Sequence, residues 1–389
     1  MFAGKLVFAQ LMEFLPRHDF DACVRRYGGD RRPRGFTCRD QYLAMAFAQL
    51  TFRESLRDIE TCLGAHQSKL YHAGFRSDIR RSTLADANRT HDWRIFADFA
   101  QVLIRHAREL HAHEPLAFEL DRTVYALDST TIDLCLSLFP WARFRRAKGA
   151  VKLHTLLDLR GNIPCFIHIS TGKTHDVTVL DQLPIEAGSF YVMDRGYVDF
   201  ERLRRFETGK AFFVTRAKRN FDFTRRTRRN VDKSTGLRSD TSVVLAGIAT
   251  SKLYPEILRR VVFKDPESGR RLVFLTNNFD LPALTVAQLY RSRWQVELFF
   301  KWIKQNLRIK RFFGTSDNAL KTQVWIAIGV YVLVAIARKE LKSDRSLAEI
   351  LQILSLTLFE KTPLFEAFSK LKTPNSEASI PKQLSLFDL

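Results

Sequence analysis

Tyr290-Arg-Ser-Arg-Trp-Gln-Val-Glu-Leu-Phe-Phe-Lys-Trp-Ile-Lys304 is the most informative stretch of this 389-residue chain. Apolar residues recur at helical spacing from Ala283 to Phe312, so the sequence predicts one long helix there. At about 100° per residue, six of its polar residues share a strip roughly 80° wide. The strip is headed by Tyr290 and contains Arg293, Glu297, Lys301, Lys304 and Arg308. A solvated surface helix would have a much wider polar face, so the strip is a candidate functional site.

The single carboxylate of this strip has two interpretations. Arg293–Glu297 and Glu297–Lys301 have the spacing of intrahelical ion pairs, which contribute only about 0.2–0.5 kcal/mol each. Alternatively, Glu297 binds a metal ion and the flanking cations bind phosphates. We favour the metal interpretation, because such weak pairs are little reason to place charge in so apolar a helix.

Two aspartates further upstream follow apolar, β-prone runs. Asp128 comes directly after the run Thr123–Leu127, and Asp194 follows Phe190–Met193. Both are therefore expected at the carboxyl ends of strands, where α/β sheets place their sites. A turn or cap residue is the alternative for each. Three neighbouring carboxylates compete with them in sequence alone: Asp121, Asp133 and Asp158.

The helical strip carries a resemblance to a known family. Tyr290-x2-Arg293-x3-Glu297-x6-Lys304 resembles the Y-R-E-K signature of DDE transposases of the insertion sequence 4 family, and Trp294 directly follows the arginine as in that signature. Four residues could match by chance, so the two aspartates, which occur in the expected order, strengthen the resemblance.

The aspartates extend that resemblance. Leu-Asp128-Ser-Thr is similar to the family's first-aspartate motif, and Met-Asp194-Arg-Gly-Tyr197 is similar to its second. The resemblance, which spans about residues 120–312, implies that Asp128, Asp194 and Glu297 form a catalytic triad. It also implies that the triad holds two Mg²⁺ (or Mn²⁺) ions, for which carboxylate oxygens are suitable ligands.

The resemblance also implies how the chain contacts DNA. Arg293 and Lys304 would bind phosphates at the transposon end, and Tyr290 would add a hydrogen bond. Lys301 and Arg308 lie on the same strip and are expected to bind DNA as well. A further DNA-binding candidate is Trp294, which would stack on a nucleotide flipped out during a hairpin intermediate. Packing of Trp294 in the core remains an equal alternative.

Strand-like and helical runs alternate after about residue 118, which predicts an α/β fold. The resemblance implies an RNase H-like catalytic core interrupted by a β-rich insertion. The expected regions are a helical DNA-binding domain (1–117), the first part of the core (118–218), the insertion (219–284), the core helix with the catalytic Glu (285–316), a helical C-terminal region (317–372) and a flexible tail (373–389).

The net charge indicates the kind of partner. The 62 Lys and Arg residues outnumber the 42 Asp and Glu residues, which gives a formal charge of +20. Such a chain attracts polyanions, with nucleic acid as the first candidate and an acidic membrane surface as the competitor. The longest apolar run, Val324–Ala337, is shorter than the roughly 18–20 residues of a membrane span and predicts a buried helix. We therefore expect a cytoplasmic, nucleoid-associated bacterial protein.

The five cysteines occur at positions 23, 38, 62, 135 and 165, without the CxxC spacing of common zinc sites. They are expected to be reduced, buried and structural, with no zinc site. In the tail, Gln383 to Phe387 resembles the short motif by which bacterial proteins dock on the replication sliding clamp. The alternative is an apolar terminus packed against its own core.

Together these features predict a cut-and-paste transposase that acts on double-stranded DNA, at its terminal inverted repeats and at a target, as a homodimer. A metal-dependent nuclease on the same core is one alternative. Another is a catalytically inactive DNA-binding regulator derived from such an enzyme. A basic membrane-surface protein is the weakest, because the sequence contains no amphipathic anchor.

Overall fold

The N-terminal region is helical. The structure, a computed structural model, describes residues 4–31, 35–116, 118–145, 148–306 and 312–369. Seven helices precede the sheet within these ranges: α1 (Val7–Met12), α2 (Arg17–Tyr27), α3 (Cys38–Leu50), α4 (Leu56–Gly64), α5 (Gln67–Leu70), α6 (Arg81–Thr90) and α7 (Trp93–His111). Thr37 caps α3 through a capping box with Asp40, which satisfies backbone donors at the start of the helix.

The strands of the described residues form a single ten-stranded sheet. They are β1 (Val124–Leu134), β2 (Arg143–Arg145), β3 (Lys148–Asp158), β4 (Ile163–Thr171), β5 (Phe190–Met193), β6 (Phe212–Arg216), β7 (Phe223–Arg229), β8 (Leu237–Leu245), β9 (Leu258–Lys264) and β10 (Arg271–Thr276). The order is β2-β3-β1-β5-β6-β10-β9-β8-β7, with β4 also paired to β3. Helix α8 (Phe200–Thr208) connects β5 to β6, and α9 (Ile248–Leu253) connects β8 to β9. The chain is thus mixed α/β, with one continuous sheet at its centre.

The position of Asp128 differs from the sequence prediction. The predicted strand ended at Leu127, but β1 continues to Leu134, because the residues from Asp128 onward still pair with β3. Parallel pairing of β1 with β5 does end at Leu127, which lies opposite Met193. Asp128, within β1, and Asp194, directly after β5, therefore lie at the same level of two neighbouring strands, and such strands are only about 4.8 Å apart.

The β-rich segment predicted at 219–284 continues the central sheet. Its last strand, β10, pairs antiparallel with β6, so β7 to β10 extend the sheet outward from the core strands. The outermost strand, β7, comes from an arginine-rich run that the sequence analysis did not recognise as a strand. Its exposed charges suit an edge strand, where they discourage pairing with another sheet.

The long helix predicted from Ala283 to Phe312 is interrupted at Arg293. The structure contains α10 (Ala283–Ser292) and α11 (Trp294–Asn306), and residues 307–311 lie outside the described ranges. Ser292 Oγ donates to the Leu289 carbonyl at 2.6 Å, and the Arg293 N–H bonds the Tyr290 carbonyl three residues back. The regular ladder of bonds four residues apart thus gives way to a tighter turn at Arg293, where the helix is interrupted.

The C-terminal helices α12 (Asp317–Glu340), α13 (Leu347–Thr357) and α14 (Leu364–Phe368) complete the protein. Helix α12 is long and apolar enough to cross a membrane, but 94% of its most apolar window is buried inside the protein. It packs against α7 and α3, and the N-terminal and C-terminal helices share one hydrophobic core. The prediction of a buried helix is confirmed, although the helix is longer than the apolar run suggested.

Candidate active site

Arg293, between α10 and α11, joins two of the three predicted catalytic carboxylates. Its Nη1 donates to Asp128 Oδ2 at 2.6 Å, and its Nη2 donates to Glu297 Oε1. Only 15% of the arginine side chain is exposed, against 22% for Asp128 and 35% for Glu297. The break at Arg293 thus places one guanidinium between a carboxylate of β1 and a carboxylate of α11.

Tyr290 connects the third carboxylate to the same site. Its hydroxyl donates to Asp194 Oδ1 at 3.1 Å, and its ring lies 4.9 Å from the Phe274 ring. Burial, reinforced by the charge of Asp194, raises the pKa of Tyr290 to about 12. The hydroxyl therefore keeps its proton at neutral pH and remains a donor to Asp194.

The electrostatics around Asp128 favour a cation. Burial is the main cause that raises the pKa of Asp128, and the negative charges of Glu297 and Asp194 add to it. The Ser129 N–H, which donates to Asp128 Oδ1 at 2.8 Å, and the Arg293 charge oppose this shift. Burial thus disfavours the ionised form of Asp128. Three carboxylates also share one guanidinium, so the site has an excess of negative charge that a bound cation would stabilise.

This charge excess gives a testable effect on stability. An acid whose pKa is raised by folding contributes stability below its unfolded pKa, and that contribution is lost as the pH rises through its folded pKa. Ionised Asp128 therefore costs stability at neutral pH, and we expect Asp128→Asn to raise the Tm of the metal-free protein at pH 7.

The same reasoning predicts that the advantage of the variant shrinks as the pH falls through the raised pKa of Asp128. Thermal unfolding in the presence of a chelator, followed between pH 7 and pH 4, measures this difference. A variant with an unchanged or lower Tm at pH 7 would show that the Arg293 pair outweighs burial and carboxylate repulsion.

The three carboxylates are chemically suited to Mg²⁺ or Mn²⁺. These hard cations prefer oxygen ligands, and Asp128, Asp194 and Glu297 offer carboxylate oxygens around one buried arginine. In the ranges that the structure describes, however, the three do not form a cluster whose ligand atoms all lie within 4.8 Å of one another. The guanidinium of Arg293 lies between two of them and acts as the local counter-ion.

Sequence reasoning missed a polar network next to Asp128. Asp176 Oδ1 accepts hydrogen bonds from Ser129 Oγ at 2.8 Å and from Lys152 Nζ at 3.0 Å. Lys152 also donates to the Thr174 carbonyl, so this lysine is held by protein groups. No spacing rule connects these positions, since they come from β1, β3 and the segment after β4.

The remaining strip residues separate into different environments. Lys304 Nζ donates to the Thr131 carbonyl of β1 at 3.1 Å, whereas Lys301 is exposed. Trp294 is 56% exposed and Leu298 is 40% exposed, so these two side chains do not pack in the core. The exposed face of the helix is wider than its apolar composition suggested. Arg308 lies outside the described residues.

A mainly apolar cavity of about 340 Å³ opens beside this site. It lies between the β9–β10 hairpin of the insertion and α10, and its walls include Phe263, Phe274, Tyr290, Arg293 and Trp294. The exposed indole therefore stands at an apolar recess that also touches the arginine between the carboxylates.

Comparison with known proteins identifies the class. Residues 119–333 match the family description "Transposase DDE domain", and residues 3–76 match a domain of unknown function (DUF4372). The first match covers more than half of the chain and contains Asp128, Asp194 and Glu297. The chain belongs to this family of DDE-domain transposases.

Individual relatives agree with this family. A protein of Sinorhizobium fredii named as a transposase (y4zB) is 32% identical over 72% of this chain and 77% of its own length. A protein of Geobacillus stearothermophilus named as the transposase of insertion sequence element IS5377 is 34% identical over 54% of this chain and 55% of its own length. The insertion sequence 4 type suggested by the Y-R-E-K strip is consistent with these relatives.

Among solved structures, a piggyBac transposase synaptic complex with hairpin DNA is similar over 94% of this chain and 82% of that chain, with a TM-score of 0.46 and 12% identity. A likeness at that level carries no inference about the function of this chain.

Proposed function

We propose that this transposase performs cut-and-paste transposition, in which it cleaves DNA at both ends of its element and joins the 3′ ends to target DNA. The observation that carries the proposal is the assembly of Asp128, Asp194 and Glu297 around Arg293 and Tyr290. Two Mg²⁺ or Mn²⁺ ions, when bound by these carboxylates, would supply an activated oxygen nucleophile and stabilise the leaving oxygen.

The strand order supports an RNase H-like core as the scaffold of this site. The antiparallel strands β4, β3 and β1 are followed across the sheet by β5 and β6, which run parallel to β1. Asp128 lies within β1 and Asp194 directly follows the adjacent strand β5 at the same level, while Glu297 is on α11. Each carboxylate therefore comes from a different element, as the proposed convergence requires.

In this proposal, Arg293 pairs with carboxylates before DNA binds and with a DNA phosphate afterwards. Without DNA, its guanidinium neutralises Asp128 and Glu297. Cations held by these carboxylates would replace that positive charge, and the guanidinium would then contact a phosphate of the transposon end, for which its planar donors are suited. Lys304 and Lys301 lie on the same helix and bind neighbouring phosphates, while Tyr290 keeps Asp194 oriented.

Trp294 and the adjacent cavity are the proposed receptor for a flipped nucleotide. An exposed indole stacks on any base, and apolar walls complement a base that has left its duplex. A receptor beside the carboxylates would hold the strand in the sharp bend that a hairpin end needs.

Trp294→Ala is then expected to reduce hairpin formation more strongly than the first nick. Phe365→Ala, which removes an exposed aromatic of α14, serves as the matched control.

The joining reaction indicates the oligomeric state of the protein on DNA. Two element ends must be held together for joining, so we propose a homodimer on double-stranded DNA, in the bacterial cytoplasm at the nucleoid. Docking on the replication sliding clamp through Gln383 to Phe387 remains a prediction, because these residues lie outside the described ranges.

The test combines both element ends, with their flanking DNA, and a supercoiled target plasmid with the purified protein and Mg²⁺ or Mn²⁺. We expect released flanks, hairpin ends on a denaturing gel and joined products. Cutting without any joined product would overturn the proposal in favour of a nuclease. Binding of the ends without cutting in either metal would overturn it in favour of an inactive regulator.

A further inference from the structure

A cluster of three potential metal ligands lies in the N-terminal helical region, outside the DDE domain. Asp30, Cys38 and His91 each offer one ligand atom, and these atoms all lie within 4.8 Å of one another. Asp30 follows α2, Cys38 is the first residue of α3, and His91 directly follows the last residue of α6. Three separate segments of the chain therefore meet at this point.

Hydrogen bonds behind His91 determine its tautomer. Asn88 Nδ2 donates to Met45 Sδ, and a thioether can only accept, so the Asn88 oxygen faces the other way. That oxygen accepts from Gln41 Nε2 at 2.8 Å, which leaves Gln41 Oε1 to accept from His91 Nδ1 at 2.6 Å. Nδ1 therefore carries the proton, and Nε2 is the ring nitrogen with a free lone pair.

This arrangement has the form of a metal-binding histidine. Histidines that bind metals almost always donate their other ring N–H to an oxygen acceptor, which orients the ring. Gln41 and Asn88 are 0% and 1% exposed, so the acceptor chain is fixed within the core.

The other two ligands are held in place as well. Asp30 Oδ1 accepts from the Cys38 N–H at 2.9 Å, which fixes the carboxylate beside the thiol. Cys38 is fully buried, and a Cβ at position 29 would lie 2.5 Å from its Sγ. Gly29 is therefore required for the chain to pass this close to the sulfur.

We propose that Asp30, Cys38 and His91 bind one Zn²⁺ ion, with Nε2, the thiolate and a carboxylate oxygen as three of its four ligands. Sulfur, nitrogen and oxygen together are the ligand set of zinc, and three protein ligands leave the fourth position to water. Asp30 and His91 are partly exposed, which gives water access.

The ion would tie the segment between α2 and α3 to the end of α6. The sequence analysis predicted no zinc site because it searched for CxxC spacing, and the ligand positions 30, 38 and 91 follow no such pattern.

Cobalt is the most direct test, because Co²⁺ replaces Zn²⁺ and a Co–thiolate bond has an intense charge-transfer absorption. The full chain is purified, treated with a chelator and titrated with Co²⁺. We expect about one Co²⁺ per chain with the thiolate band. The carboxylates near Arg293 contain no sulfur and cannot produce this band, so the readout is independent of the proposed transposition.

Variants separate a ligand role from a structural one. Cys38→Ser should remove the band, whereas Cys23→Ser, which changes another buried cysteine of this region, should retain it. Asp30→Asn keeps an acceptor for the Cys38 N–H and should weaken Co²⁺ binding. Gln41→Met removes the acceptor of His91 Nδ1 and should lower metal affinity about 10–100-fold.

Circular dichroism checks that each variant is folded. The proposal is overturned if the wild-type protein shows no thiolate band, if folded Cys38→Ser keeps the band, or if Cys23→Ser loses it.

Discussion

Asp128→Asn, Asp194→Asn and Glu297→Gln are each expected to reduce the rate of DNA strand cleavage by about 10³-fold. Each substitution removes one anionic oxygen ligand while it preserves the size of the side chain. Metal ions contribute several kcal/mol of transition-state stabilisation, and a loss of about 4 kcal/mol corresponds to about 10³ in rate. Single-turnover cleavage of a labelled element end measures the effect.

Asp133→Asn is the matched control for this experiment. Asp133 lies on the same strand, β1, and competed with Asp128 in the sequence, but its side chain is exposed and its position pairs with Ala150. We expect its cleavage rate to equal that of the unmodified protein. An Asp133 variant as inactive as the Asp128 variant, or three triad variants with full activity, would refute the assignment of the triad.

Asp240→Ala should lower the free energy of unfolding by about 3–5 kcal/mol, the usual cost of leaving one partner of a buried ion pair uncompensated. Asp240 accepts from Arg259 Nε at 3.0 Å and from Nη2 at 2.7 Å, and both side chains are at most 4% exposed. Arg259 Nη1 also donates to the Leu281 carbonyl at 2.6 Å. The pair thus connects β8 and β9 to the turn that leads into α10.

Equilibrium unfolding in urea, followed by tryptophan fluorescence, measures this loss. Glu267→Ala is the control, because Glu267 and Arg291 form an exposed pair at 2.7 Å between the insertion and α10. Exposed pairs contribute little to stability, so we expect no measurable change in the control. Equal stability losses in both variants would contradict the importance of burial for the Asp240 pair.

The segment from β7 to β10 contributes to the central sheet and contacts the candidate site. It extends the central sheet through β10, and its turn at Leu281 precedes the helix that contains Tyr290. The Phe274 ring of β10 packs against the Tyr290 ring, whose hydroxyl holds Asp194. Loss of the buried Asp240 pair should therefore disturb the orientation of Asp194 as well as the stability of the protein.

Several elements could be predicted from local sequence. The strand before Asp194 ends at Met193, as its apolar run indicated. The apolar run Val324–Ala337 lies within a buried helix, as predicted. These features depend on side-chain periodicity and on hydrogen bonds within a few residues, which the sequence contains directly.

Other elements depended on distant partners. Periodicity favoured one helix through Arg293, but the structure divides it there into α10 and α11, and Arg293 pairs with Asp128 of the distant strand β1. Asp128 was expected after a strand and lies within one, because β3 continues to pair with β1. The expectation that the cysteines are buried is wrong for Cys135, which is exposed, and Cys62 and Cys165 are only partly buried. Burial and strand length depend on neighbours that are remote in the chain.

The sequence by itself determined the family, the mixed α/β class and the residue types of the candidate site, because the Y-R-E-K strip and the two aspartate motifs are local patterns. The tertiary structure decided that Arg293 pairs with both Asp128 and Glu297, that Asp176 and Lys152 support the site, and that Asp30, Cys38 and His91 meet. The physical reason is that the ion pairs of a side chain, and its ability to bind a metal with others, depend on the groups that lie near it in space. Spacing along the chain cannot specify which segments the hydrophobic core brings together.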